Sequence, residues 1–204
     1  MNQLKHAASL YLQQHADQPV HWNEWGNEAL DSAAAKGQWL LVSIGYSTCH
    51  WCHVMAHEVF EDSEVAAYLN THFTSIKVDR EERTDLDHAY MAASLAMTGQ
   101  GGWPLNAVCL PDGRPVWTCT YLPKERFLQA LVELNALKQT HSLRAEDYAE
   151  EIHQAIQEAH RNPEGSVALD RLSVRLQIPS TWDAFWGGFR GAPKFPLPSL
   201  LFQY

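Results

Sequence analysis

Cys49 and Cys52 stand two residues apart in the run Ser47-Thr48-Cys49-His50-Trp51-Cys52-His53, behind an apolar stretch and ahead of a helix-forming one. A Cys-x-x-Cys pair at such a strand-to-helix junction suits thiol-disulfide exchange. The first sulfur meets unsatisfied backbone N–H groups and the positive end of the helix dipole, which favours its thiolate. In such settings a cysteine pKa falls to roughly 3.5–7.5 from about 8.5. Cys49 is then the expected nucleophile, exposed at the helix tip. Cys52, facing inward one turn later, is the expected resolving thiol, attacking the mixed disulfide that Cys49 forms with a protein or small-molecule substrate. His50 and His53 are candidates for tuning the thiol pKa or moving its proton. Trp51, between the thiols, is a candidate to line the substrate groove.

The same residues admit other chemistry. Cys49-His50-Trp51-Cys52-His53 fits the C-x-x-C-H pattern of covalent haem attachment, although that requires an export route and an axial partner. Cys49, Cys52, His53 and His57 are all legal zinc ligands, and His53 and His57 share a helix face. Against this, a helix that carries Cys52 inward points His53 about a quarter turn away. A third alternative is a redox-silent domain that supports a larger protein. Exchange without a bound cofactor is the reading adopted.

The elements around the pair follow from periodicity. Asn23 to Lys36 carries Trp25, Ala29, Leu30, Ala33 and Ala34 at helical spacing, with Gly37 at the C-cap position. Trp39 to Tyr46 is a nearly unbroken apolar run, suited to a strand buried on both faces. After Cys52, Val54, Met55, Val59 and Phe60 share a side, and Asp62-Ser63-Glu64 marks a break into another helix. Phe73 to Asp79 alternates and predicts a strand. Asp85 to Met97 predicts a helix that ends in the glycine loop Thr98 to Gly102.

Leu105 to Leu110 and Pro115 to Thr120 flank Pro111-Asp112-Gly113-Arg114 as a hairpin. That hairpin sets Cys109 opposite Val116 and Cys119 opposite Asn106, on opposite faces, as packed small hydrophobes. Lys124 to Leu137 and Ala145 to Ala159 predict amphipathic helices. The fold class is α/β: a mixed sheet flanked by helices, with two parallel strands and an antiparallel hairpin. His6, His15, His72, His88, His141, His153 and His160 show no ligand-like grouping and are expected at solvated or cap positions. The charged string Asp79 to Asp87 reads as a solvated helix start, with Asp79 or Arg80 placed to shape the site.

Composition narrows the partners. A net charge of -9, from 15 Lys and Arg against 24 Asp and Glu, repels phosphate backbones and anionic lipid, which argues against nucleic acid. No stretch is long and apolar enough to span a bilayer, and Met1 to Gln18 lacks a signal-peptide core. Four cysteines in 204 residues are too few for a stapled secreted scaffold. The expectation is a cytoplasmic protein.

The segments QHADQPVHW, SIGYSTCHWCHVMAHEVFEDSEVAAYLN, IKVDREERTDLDHAYM and TGQGGWPLNAVCLPDGRP resemble the thioredoxin-like N-terminal domain of the spermatogenesis-associated protein 20 family, over most of residues 7 to 137. The resemblance implies a thioredoxin-like domain over residues 1–140, a connecting amphipathic helix over 141–163, and a linker with a truncated helical toroid over 164–204. That toroid is similar to the (α/α)6 barrels of sugar-processing enzymes, and its missing remainder is an expected partner. The resemblance also implies a cis peptide at Pro104, against the thiols, with Trp103 and Pro104 walling the groove. Thr84 replaces a usual proline, His21 a usual acidic residue, and Cys119 and Leu122 depart from a Gly-Thr-Tyr-Phe-Pro stretch. In thioredoxin a buried carboxylate stands on the strand six residues before the first cysteine. Here that position is Ser43, so His50, His53 or Glu58 is expected to take over proton transfer.

Overall fold

A computed structural model of the chain describes residues 1–161. The expected start of a toroid over 164–204 lies outside the described residues. One five-stranded sheet organises the rest, with strands β1 (Trp22–Asn23), β2 (Trp39–Gly45), β3 (Phe73–Asp79), β4 (Leu105–Cys109) and β5 (Pro115–Cys119) in the order β1-β3-β2-β4-β5. β2 and β3 run parallel, with Ser43 beside Lys77 and Gly45 beside Asp79. β4 is antiparallel to β2, and β5 to β4. The sheet is therefore mixed, as the sequence pattern implies, and thioredoxin-like, as the family resemblance implies.

The helices are α1 (Leu10–Gln13), α2 (Asn27–Lys36), α3 (His50–Met55), α4 (Ser63–His72), α5 (Thr84–Thr98) and α6 (Lys124–Arg161). α2 starts at Asn27 rather than Asn23, because Trp22 and Asn23 are drawn into the sheet beside β3 as an extra parallel edge strand. It ends at Gly37, whose φ of 60° is the left-handed cap that glycine accommodates. α3 runs on through a π-helical turn, Ala56–Phe60. Asp62 then caps α4, its carboxylate accepting from the Glu64 and Val65 amides. α6 joins the two expected amphipathic helices across a kink at His141, where φ is -143°.

Strand alternation divides the apolar side chains between two layers. Leu40, Val42, Ile44, Ile76 and Val78 pack on one face against α2 and α5. The other face holds Leu41, Met55, Phe60, Leu69 and Phe127, together with Leu4, Tyr11, Leu12 and Val20 from the N-terminal segment. That segment is part of the core, and it covers the polar side of β3.

The hairpin register differs from the sequence reading at one end. Cys119 pairs with Asn106 as expected, but Cys109 pairs with Pro115 instead of Val116, because a bulge between Val108 and Cys109 shifts the ladder. The two cysteines still reach opposite layers. Both are free thiols, and burial pushes each up to about 12, which suits packed hydrophobes.

Candidate functional site

β2 ends at Gly45, and the chain turns through Tyr46 to Thr48 into α3 with Cys49 as its N-cap. The Cys52 amide donates to Cys49 Sγ at 3.2 Å and also to the Cys49 carbonyl at 3.1 Å, so the first sulfur shares a backbone N–H of the helix start. Cys49 and Cys52 are joined as a disulfide. Cys52 faces the core as expected. Cys49 does not stand exposed: it is 4% accessible and Cys52 3%, since bonding to an inward-facing partner draws it into the apolar cluster that also holds Tyr46, Trp103 and Tyr121. Trp51, 52% accessible, projects from the helix tip between His50 and Tyr121, with ring centroids 5.5 and 5.0 Å away.

Leu105 pairs with Ile44 in the sheet, so Pro104 lies at the end of β2 from which the cysteine turn departs. The Trp103–Pro104 peptide is cis. The Trp103 ring stands edge-on to Tyr46 at 5.9 Å. Its other face is covered by the Arg80 guanidinium, 3.9 Å from the ring centroid. Asp87 on α5 holds this arrangement from below. One carboxylate oxygen accepts from Trp103 Nε1 at 2.7 Å and the other from Arg80 Nε at 3.1 Å.

Sequence reasoning took the string from Asp79 to Asp87 as solvated. Instead, Asp79 and Asp87 are both buried. Asp79 accepts from Ser9 Oγ at 2.6 Å and from the Glu81 amide at 2.9 Å. The signal available for Asp87 was its place on the first turn of α5, on the side facing the glycine loop. Asp87→Ala is expected to lower folding stability by about 3–6 kcal/mol, since hydrogen bonds to a charged group contribute about 1.5–3 kcal/mol each and two are lost. Urea unfolding of the two proteins checks this, and an unchanged midpoint would remove Asp87 as the anchor of Trp103.

Two of the expected proton carriers, His53 and Glu58, have other partners, and His50 packs edge-on against Trp51. The His53 ring meets the Ser47 carbonyl at 2.7 Å. Glu58 accepts from the Tyr121 hydroxyl, and His57 pairs with Glu61 at 2.9 Å. The zinc alternative, Cys49, Cys52, His53 and His57, is thus dispersed over a disulfide and two separate contacts. Among the described residues no three metal-ligating side chains converge elsewhere.

What lies behind Cys52 is a buried polar set that sequence reasoning missed. Lys77 Nζ donates to Ser43 Oγ at 3.1 Å and sits over the Phe60, Trp22 and Tyr11 rings at 4.6, 4.8 and 5.6 Å. Burial pushes its pKa down to about 7. His15, expected at a solvated position, is buried edge-on against Tyr11; burial, with Lys77 nearby, lowers it to about 2 and keeps it neutral. The only sequence signal for Lys77 was a lysine between Ile76 and Val78 in a central strand.

Human spermatogenesis-associated protein 20 is 36% identical over 222 residues, covering 100% of this chain and 28% of the relative. An uncharacterized protein of Caenorhabditis elegans is 39% identical over 202 residues, covering 96% and 28%. The chain thus spans 28% of the length of these relatives. A thioredoxin from Thermus thermophilus superposes with a TM-score of 0.49 at 21% identity, covering 60% of this chain and 97% of that one. The family model for Thioredox_DsbH, described as a protein of unknown function, DUF255, matches residues 1–162, and the chain belongs to that family.

Proposed function

We propose that the chain is a thiol-disulfide oxidoreductase-like module that acts through Cys49 and Cys52 on protein or small-molecule disulfides. The observation that carries this reading is the Cys52 amide on Cys49 Sγ at a helix N-cap, with the partner sulfur one turn inward. That amide and the helix dipole favour a thiolate at Cys49. Cys49 attacks the substrate disulfide, breaks its S–S bond, takes one substrate sulfur into a mixed disulfide and releases the other as a thiolate. Cys52 then attacks Cys49, the substrate sulfur leaves as a thiolate, and two electrons have passed to the substrate.

Trp51, Trp103 and Pro104 form the walls against which an extended substrate lies. Trp51 supplies an exposed apolar face, and Trp103, clamped by Asp87 and Arg80, a fixed one. No cofactor enters the cycle, and nucleic acid is not a partner. The cytosol is the proposed compartment, and a C-terminal helical domain of the kind the family resemblance implies is the proposed intramolecular partner. No described helix is long and apolar enough to cross a membrane.

Equilibrating the protein against glutathione buffers and counting free thiols tests the reading. A reversible two-electron transition near or below the cytosolic glutathione poise, roughly -220 to -320 mV, is the expected result. Thiols that never close reversibly would assign the domain a supporting role.

A further inference from the structure

Tyr11 is 1% accessible, and its hydroxyl has no hydrogen-bond partner. A buried unpaired hydroxyl costs about 1–3 kcal/mol, so its position calls for a reason. Gly45 gives its location relative to the disulfide. A Cβ added at Gly45 would overlap both Tyr11 Oη and Cys52 Sγ. The hydroxyl and the sulfur therefore share the hollow that the missing side chain leaves at the end of β2. In the disulfide form Cys52 Sγ is a weak, neutral acceptor, and the hydroxyl makes no bond to it. Opening the disulfide releases that sulfur to rotate and to carry charge.

We propose that the Tyr11 hydroxyl is the hydrogen-bond donor that holds Cys52 as a thiolate once the disulfide opens. This rests on the exchange reading above and assigns the group that prepares the resolving step. When the S–S bond is reduced, two electrons enter the pair and each sulfur departs as a thiolate or takes a proton from solvent. Donation from Tyr11 favours the charged form of Cys52. That sulfur attacks Cys49 Sγ, forms the new S–S bond and expels the substrate thiolate, while Tyr11 keeps its own proton throughout.

The surroundings fit a donor that does not ionise. Burial first, and then the Asp79 carboxylate, hold the phenol well above its ordinary range. The groups facing it are Lys77 from β3, over its ring, His15 from the following turn, edge-on, and Asp79 from the end of β3. Ser43 is occupied by Lys77. The polar atom nearest the Gly45 hollow besides Cys52 Sγ is the Tyr11 oxygen, and its proton has no other partner.

The experiment uses Tyr11→Phe in the full chain, which keeps the ring in the core. Thiolate absorbance against pH is read for Cys52 in a Cys49→Ser background, and the reduction equilibrium of the pair is read against glutathione. Removal of the donor is expected to raise the Cys52 titration about tenfold in proton affinity. The pair's equilibrium shifts about tenfold toward the disulfide, equivalent to about 30 mV lower potential. The oxidised protein unfolds at the same or a higher temperature, because it loses only an unpaired hydroxyl. A loss of general packing would instead lower that temperature and leave the titration in place.

Unmoved titration and potential in Tyr11→Phe, with a normal transition in the unsubstituted protein, overturn the role of Tyr11 and leave exchange standing. Absence of any reversible transition in the unsubstituted protein overturns both. Should the variant fail to fold, the oxidised-minus-reduced infrared spectrum of the unsubstituted protein decides. A phenol C–O band that shifts on reduction supports the assignment, and its absence overturns it.

Discussion

Cys49→Ser is expected to abolish disulfide reduction, by roughly a thousandfold or more, the scale on which loss of a covalent nucleophile acts. Cys52→Ser is expected to lose multiple turnovers to a similar extent, but by a different route. It retains the first attack and accumulates a mixed disulfide between Cys49 and the substrate. The asymmetry follows from the helix start. Only Cys49 is the N-cap and receives the Cys52 amide, while Cys52 lies inward in the apolar layer. Insulin reduction followed by turbidity, with intact-mass analysis of each quenched variant, separates the roles. An adduct on Cys52 in Cys49→Ser at a rate matching Cys49 in Cys52→Ser would overturn the asymmetry, and a faster one would reverse the assignment.

The near-complete burial of the disulfide adds a requirement to this scheme. Reduction must begin with an incoming thiolate reaching a sulfur that is 4% accessible. The approach is bounded by exposed Trp51 on one side and by Tyr46 and Trp103 on the other. Asp87 holds Trp103 in position, so a stiff wall faces a more exposed one. On the proposed exchange reading, that pairing would admit an extended chain between two aromatic surfaces.

The sequence disclosed most of the layers and only part of the site. β2 and β3 were legible because buried central strands carry dense apolar runs, and the hairpin because Pro-Asp-Gly interrupts two short ones. Cys49 and Cys52 were legible because their spacing matches one helical turn after a strand. The N-terminal segment was not. Ala7, Tyr11 and Leu12 give too short a pattern to separate a core-covering turn from a solvated leader. That omission propagated into β3. Ser75, Lys77 and Asp79 alternate with Ile76 and Val78, a pattern that ordinarily means one wet face. Here Leu4, Tyr11 and Val20 lie over that face, and the polar residues are enclosed. Asp87 escaped for a related reason. A carboxylate on the first turn of a helix is usually solvated, and only the folded loop brings Trp103 and Arg80 onto it.

Lys77→Met is expected to stabilise the fold at pH 6 by about 2 kcal/mol or more, with the gain fading toward pH 10. Lys77 is 1% accessible and has Ser43 Oγ as its hydrogen-bond partner. Its cation is offset by aromatic faces, and burial leaves its pKa near 7, against 10.5 for an ordinary lysine. At about 1.4 kcal/mol per pKa unit this is a cost on the order of 5 kcal/mol for carrying the charge. The sign follows from proton counting. Between pH 7 and 10.5 the unfolded chain binds the lysine proton and the folded chain does not, so stability rises with pH across that window. Below pH 7 both states hold the proton and the full cost remains. Methionine fills similar volume without a charge, which deletes both the cost and the slope. Urea unfolding of the oxidised protein at pH 6, 8 and 10 reads both. A variant less stable than the parent at pH 6, with the slope intact, would mean that the aromatic faces and Ser43 compensate the buried ammonium fully. The pH dependence would then belong to another group.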